Sequence, residues 1–259
     1  MQAGVVAAPR SVALAWRARL ERFHGRGWAV IPPAAIIGAI FAIRSTSETA
    51  NVLTYLALVA VPLLALVALG WVVHGARPVF ALIAVGLFVL AWRSPGTLAG
   101  QAAAALLSGL SCVTLGALLA TVTPARWLKV GIVAMAAADV WLVAADLLQQ
   151  PNDVLVMAAP AGGLPHLQSE RFGSIEMGYG DMFVAGALGG LMAGRRRLQG
   201  LAALLTLGIA AIFDLLFLVV DELPATVPVA LALIALEAVA ANGRRGRSKP
   251  GDAIPPPAT

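Results

Sequence analysis

The sequence predicts an all-α membrane protein, a polytopic bundle of about eight transmembrane helices. Three observations predict it. The 259 residues are 60% hydrophobic and only 12% charged, with a mean hydropathy of +0.87, whereas soluble domains carry roughly 25% charged residues. Apolar runs of about 18 or more residues recur along the chain, each enough to cross a hydrocarbon core roughly 30 Å thick. The basic residues, finally, crowd into every second segment between those runs. No water-soluble domain of useful size is left over.

Residues 1–27 form a basic stretch. Its apolar patch, 12–16, is too short for a secretory signal, and arginines interrupt the residues after it. The stretch reads either as an interfacial helix with Leu14, Leu20 and Phe23 on one face or as a solvated tail. The eight spans come next, at 28–43, 52–73, 79–92, 99–121, 128–148, 175–194, 198–220 and 224–241. Trp28, Trp71, Trp92 and Trp127 fall at span ends, where an amphipathic ring prefers the headgroup layer. Residues 28–122 make an N-terminal four-helix part and 123–241 a second four-helix part. The tail 242–259, with an Arg/Lys cluster and three consecutive prolines, reads as disordered.

Charge sets the orientation. With the N-terminus cytoplasmic, the inner segments hold 15 of the 18 lysines and arginines, and the outer ones only Arg44, Arg93 and Arg171. That bias satisfies the positive-inside rule and places both termini in the cytoplasm. The expected location is a prokaryotic plasma membrane. The net charge of +5 points to no nucleic acid or other charged partner.

Against this apolar background two aspartates stand out. Asp139 lies about nine residues from the outer end of the fifth span, and Asp181 about six from the outer end of the sixth. At 1.5 Å per residue these are depths of roughly 14 and 9 Å. A carboxylate at such depth costs several kcal/mol, so a membrane protein that keeps one usually uses it. The two spans are sequential and antiparallel. Ala136, Ala137 and Ala138 precede one aspartate, and Gly178 and Gly180 precede the other, small residues that let helices approach closely. Two facing carboxylates cannot both ionise cheaply, so they share a proton. The ionised member can then take a proton from water while the protonated one polarises a peptide carbonyl. Glycines at 178 and 180 also leave room for an extended substrate beside the helix.

At these residues the chain resembles the GxGD intramembrane aspartyl proteases, the family of presenilin and signal peptide peptidase. Asp139-Val140-Trp141-Leu142-Val143 looks like the segment around the first catalytic aspartate, and Gly178-Tyr179-Gly180-Asp181 like the GxGD helix. Pro224-Ala225-Thr226 is similar to the C-terminal Pro-Ala-Leu motif. The likeness covers about 128–241. It implies a presenilin-like fold and hydrolysis of peptide bonds in transmembrane proteins or signal peptides by Asp139 and Asp181. Gly178, Tyr179, Gly180, Pro224, Ala225 and Thr226 would shape the cleft, without metal or organic cofactor. The orientation is that of signal peptide peptidase. Three departures stand beside the likeness: Ala138 replaces a tyrosine, Thr226 replaces a leucine, and eight spans are read where the family has nine. The resemblance also implies a substrate-holding element in the loop 149–174, where 154–157 reads as a short strand or re-entrant piece.

Two other readings stay open. Type IV prepilin peptidases also carry a GxGD aspartate and have eight spans, and Asp146 before Pro151-Asn152 faintly resembles their first aspartate segment. Phe183, however, stands where those enzymes have a lysine. A proton- or cation-coupled transporter would instead use Asp139, Asp146, Asp181 and Asp214 as a relay, although the two halves show no inverted repeat. Asp146 otherwise reads as a solvated loop anchor and Asp214 as water-facing. Glu237 carries no assigned function. Cys112 is the one cysteine, and His24, His74 and His166 form no metal-ligating set.

Overall fold

Prolines open the first helix. The structure, a computed structural model, describes residues 19–173, 175–218 and 223–247. Pro32 and Pro33 stand in the first turn of α1 (Ile31–Ser45), where a missing N–H leaves no intrahelical acceptor unpaired. Then come α2 (Glu48–Val67), prolonged by a π-helical turn over Ala68–Val72, α3 (Ala81–Arg93) and α4 (Leu98–Val122). The Thr97 side chain caps α4 by accepting from the Gly100 N–H at 3.1 Å. Next are α5 (Ala125–Ala144), a short α6 (Gln149–Met157), a hairpin of β1 (Ser169–Phe172) and β2 (Ile175–Gly178), α7 (Tyr179–Leu191), α8 (Arg196–Asp214) and α9 (Val227–Arg247).

Each of the eight expected spans overlaps one of these helices, but their lengths do not establish eight crossings. Four helical segments are long and apolar enough to cross a membrane: Glu48–Val72, Leu98–Val122, Ala125–Ala144 and Arg196–Asp214. Shorter apolar helices cover Ile31–Ser45, Pro78–Arg93 and Val227–Asn242. Leu56, Leu82, Leu204, Leu207 and Val239 all point outward, giving the bundle an apolar exterior suited to lipid rather than water.

Two apolar clusters hold the bundle together. One joins the end of α4 and the start of α5 to α7 and α9 through Leu119, Leu128, Ile132, Val184, Leu188 and Leu233. The other joins α2, α3 and the first half of α4 through Val61, Ala84, Ala103 and Leu107. Helix α4 therefore belongs to both and is the spine of the molecule. Its crossing with α7 brings backbone against backbone. A β-carbon on Gly116 would land on the Gly186 carbonyl, and one on Gly190 would land on that of Gly116. Small residues four apart on both helices, Cys112 and Gly116 against Gly186 and Gly190, make the approach possible.

Several expected boundaries move. Residues 175–178, expected as the start of a span, form β2 and pair antiparallel with β1, Glu170 opposite Met177 and Ser169 opposite Gly178. Gly173, at φ +64°, supplies the left-handed turn that the hairpin needs. The stretch 154–157 is helical rather than a strand, as the second half of α6. Pro151 in its first turn is tolerated there, and Val154 and Leu155 pack on Ile43 and Ala50. Helix α5 stops at Ala144 instead of 148, because Asp146 turns the chain at φ +51°. Helix α9 runs to Arg247, six residues into the stretch expected as disordered. Leu20 packs against the main core while Phe23 is exposed. Leu14 and the tail beyond 247 lie outside the described residues.

Candidate active site

Asp181 is the third residue of α7, and the strand β2 runs directly into Gly178, the residue that caps this helix. An acidic side chain at this position can reach back to the capping residue's N–H, as in a capping box. Here the carboxylate turns back toward that residue: its Oδ2 lies 3.2 Å from where a Gly178 β-carbon would stand. Any side chain at 178 would crowd the carboxylate it is meant to hold. Gly180 faces Ile36 of α1, with an added β-carbon 3.8 Å from its side chain. Because the hairpin precedes α7, Asp181 stands in the first helical turn rather than about six residues inside a span.

Asp139 comes from α5, five residues before its end at Ala144. Its Oδ2 accepts two hydrogen bonds from Thr226, one from the backbone N–H at 3.1 Å and one from the hydroxyl at 2.7 Å. Thr226 is buried and immediately precedes α9. Its hydroxyl would ordinarily cap its own helix at the second or third N–H. Pro228 occupies the second helical position and has no N–H to offer it, and the hydroxyl's proton goes to Asp139. Pro224 closes the turn ahead by accepting from the Val227 N–H at 3.2 Å. Pro224 is half-buried and Ala225 exposed, and neither touches the carboxylates by hydrogen bond.

Helices α5, α7 and α9 pack together here, and the charge of Asp139 bears on Asp181. No hydrogen bond links the two carboxylates directly. Both are half-buried, open enough to meet water or a peptide. Among the described residues neither has a cationic side chain within ion-pair distance; the ion pair is Lys129 with Glu237, 2.6 Å apart, near the start of α5. Asp146 and Asp214 are both exposed and stand apart from this pair, at the ends of α5 and α8. No group of three or more histidines, cysteines or acids that could hold a metal occurs among the described residues.

A second polar cluster lies one step behind. Ser108, Ser111 and Cys112 share one face of α4. The Ser108 hydroxyl donates to Glu170 Oε1 on β1. The Ser111 hydroxyl donates to the Ser108 carbonyl at 2.7 Å, so the Tyr179 hydroxyl is the donor in its 2.7 Å bond to Ser111. Thus α4 grips the hairpin through Glu170 and the GxGD turn through Tyr179. Glu170 is 5% exposed, and its burial pushes the carboxyl up to about 7. Sequence reasoning missed this cluster. The available signal was the serine pair three apart on an apolar helix, which only a partner carboxyl makes meaningful.

Comparison of the chain with protein-family models, with characterised proteins and with solved structures gives no match.

Proposed function

We propose that this protein is an intramembrane aspartyl protease of the GxGD type, built on eight spans, with Asp139 and Asp181 sharing one proton. The observation that carries the reading is the convergence of three separate sequence segments, around Asp139, Asp181 and Thr226, at one half-buried site. Two interacting acids without a cationic partner are suited to general acid–base chemistry on a neutral substrate. One takes a proton from water as the water oxygen bonds to the peptide carbonyl carbon, and the other gives its proton to the carbonyl oxygen. On collapse the C–N bond breaks, the first acid protonates the leaving nitrogen, and the second recovers its proton.

The hairpin supports the same reading. It ends at Gly178, three residues before Asp181, and among the described residues its two strands pair only with each other, leaving each an outer edge. Backbone hydrogen bonds to such an edge would hold a substrate segment extended beside the acids, which a peptide in a helix could not be. The expected partners are the lipid bilayer and transmembrane proteins or signal peptides as substrates.

Purified protein in liposomes, given a panel of single-span reporter substrates, tests this. Wild type should cut; Asp139→Asn and Asp181→Asn should each lose at least about a thousandfold in rate; Asp146→Asn should stay close to wild type. If wild type cuts nothing and ion flux depends on Asp146 or Asp214, a proton or cation relay replaces the protease.

A further inference from the structure

We infer that the Thr226 hydroxyl decides which aspartate carries the shared proton, making Asp139 the ionised base and Asp181 the acid. The inference rests on the dyad reading and goes one step further, since two facing carboxylates do not by themselves say which is charged. Each acid here lies at the start of a helix. Asp181 occupies the first turn of α7, its carboxylate turned back toward the capping residue Gly178. Asp139 faces the start of α9 and accepts from the Thr226 backbone at 3.1 Å. The helix dipoles therefore roughly offset one another. The donors that break the balance belong to Thr226, and the shorter of them, the one a side-chain change removes, is its hydroxyl at 2.7 Å from Asp139 Oδ2.

Two donors on one carboxylate oxygen favour the charged form, because a donor bonded to a carboxylate loses strength when that acid is protonated. Among the described residues no side-chain hydroxyl or amide is hydrogen-bonded to Asp181, and no other charged group competes. Asp146 is exposed beyond the end of α5, Glu237 on α9 is paired with Lys129, and Glu170 is turned toward Ser108. The hydroxyl has one proton to donate, and it is given to Asp139. Leucine, which stands at this position in the motif the chain resembles, would supply the backbone donor but no hydroxyl. Thr226 is on this account a positioning residue, acting through Asp139.

Infrared titration of the protonated carboxyl band tests the inference without requiring cleavage. In an Asp181→Asn background, Thr226→Val should make Asp139 hold its proton about tenfold more tightly, and Thr226→Ser should restore the original titration. In an Asp139→Asn background, neither change should move Asp181. Valine matches threonine in shape, and the serine variant keeps the hydroxyl should valine unfold the protein. If Thr226→Val moves Asp181 as much as Asp139, or moves neither, the inference is overturned. If the split is found while wild type cuts no reporter, the proton assignment stands and the protease reading falls. Where cleavage is seen, Thr226→Val should lose activity at a higher pH on the acid side of its profile than wild type.

Discussion

Glu170 shows how one buried side chain ties solution conditions to the site. Its carboxyl links β1 to Ser108 of α4, and its other oxygen, Oε2, has no partner among the described residues. An ionised carboxylate there would be buried with half its hydrogen-bonding capacity unused, so the fold holds it protonated to about pH 7 against an ordinary value of 4.5. The sign comes from proton counting. Between those values the unfolded chain has released a proton that the folded chain keeps, so stability falls as pH rises through the window and levels off above it. Glu170→Gln keeps a neutral acceptor for Ser108 and has no proton to lose. Thermal unfolding in detergent should therefore give nearly equal midpoints for the two proteins at pH 4. At pH 8 the variant should be more stable, by on the order of 2 kcal/mol. A gap that does not change with pH would show that Glu170 is not the titrating group.

Among the elements, α4 and α7 are the pair on which the site depends. Helix α7 carries Asp181, and its placement comes from the glycine crossing with α4 rather than from the alanines of α5. At that crossing the Gly116, Gly186 and Gly190 backbones touch, leaving no room for a methyl group. Gly116→Ala should cost about 2–3 kcal/mol, the size of an overpacked core, and reporter cleavage should fall with it. Gly109 lies on the same helix with nothing within 4 Å of an added β-carbon. Gly109→Ala should leave the unfolding midpoint within about 1 kcal/mol of wild type. Equal effects at the two positions would remove the crossing as the anchor of α7.

For the whole molecule, the arrangement in the bilayer is the main expectation. Helix α7 has 13 residues and reaches only about 20 Å, short of a full crossing. If all eight expected segments cross, the hairpin lies where the sixth begins, its turn held by α4, where Gln101 Oε1 accepts from the Gly173 N–H at 2.9 Å, and its open strand edges facing water or a substrate backbone rather than lipid. Cys112→Ala removes the chain's one cysteine, so single cysteines placed elsewhere report on sidedness. In sealed right-side-out vesicles a membrane-impermeant maleimide should label Ser47→Cys and Ala161→Cys at once, and Ala76→Cys and Arg195→Cys only after permeabilisation. The reverse pattern would invert the orientation, and any mixed pattern changes the number of crossings.

Much of this protein is set by the order of its residues, because burying apolar side chains in lipid and leaving arginines at the cytoplasmic face are local, additive preferences. Helical runs were legible on that ground; Asp139 and Asp181 drew notice as acids in apolar runs and Pro-Ala-Thr through a resemblance, whereas the more deeply buried Glu170 did not. Other features depend on partners far apart in the chain. The strand over Ile175–Gly178 exists because Ser169–Phe172 pairs with it. The same need for a partner explains why 154–157, which read as a short strand or re-entrant piece, is a helix packed on α1 and α2. Glu170 gains meaning from Ser108, 62 positions away, and Thr226 from Asp139, 87 positions away. Pairing energies of this kind belong to two residues at once, and no window along the chain contains both.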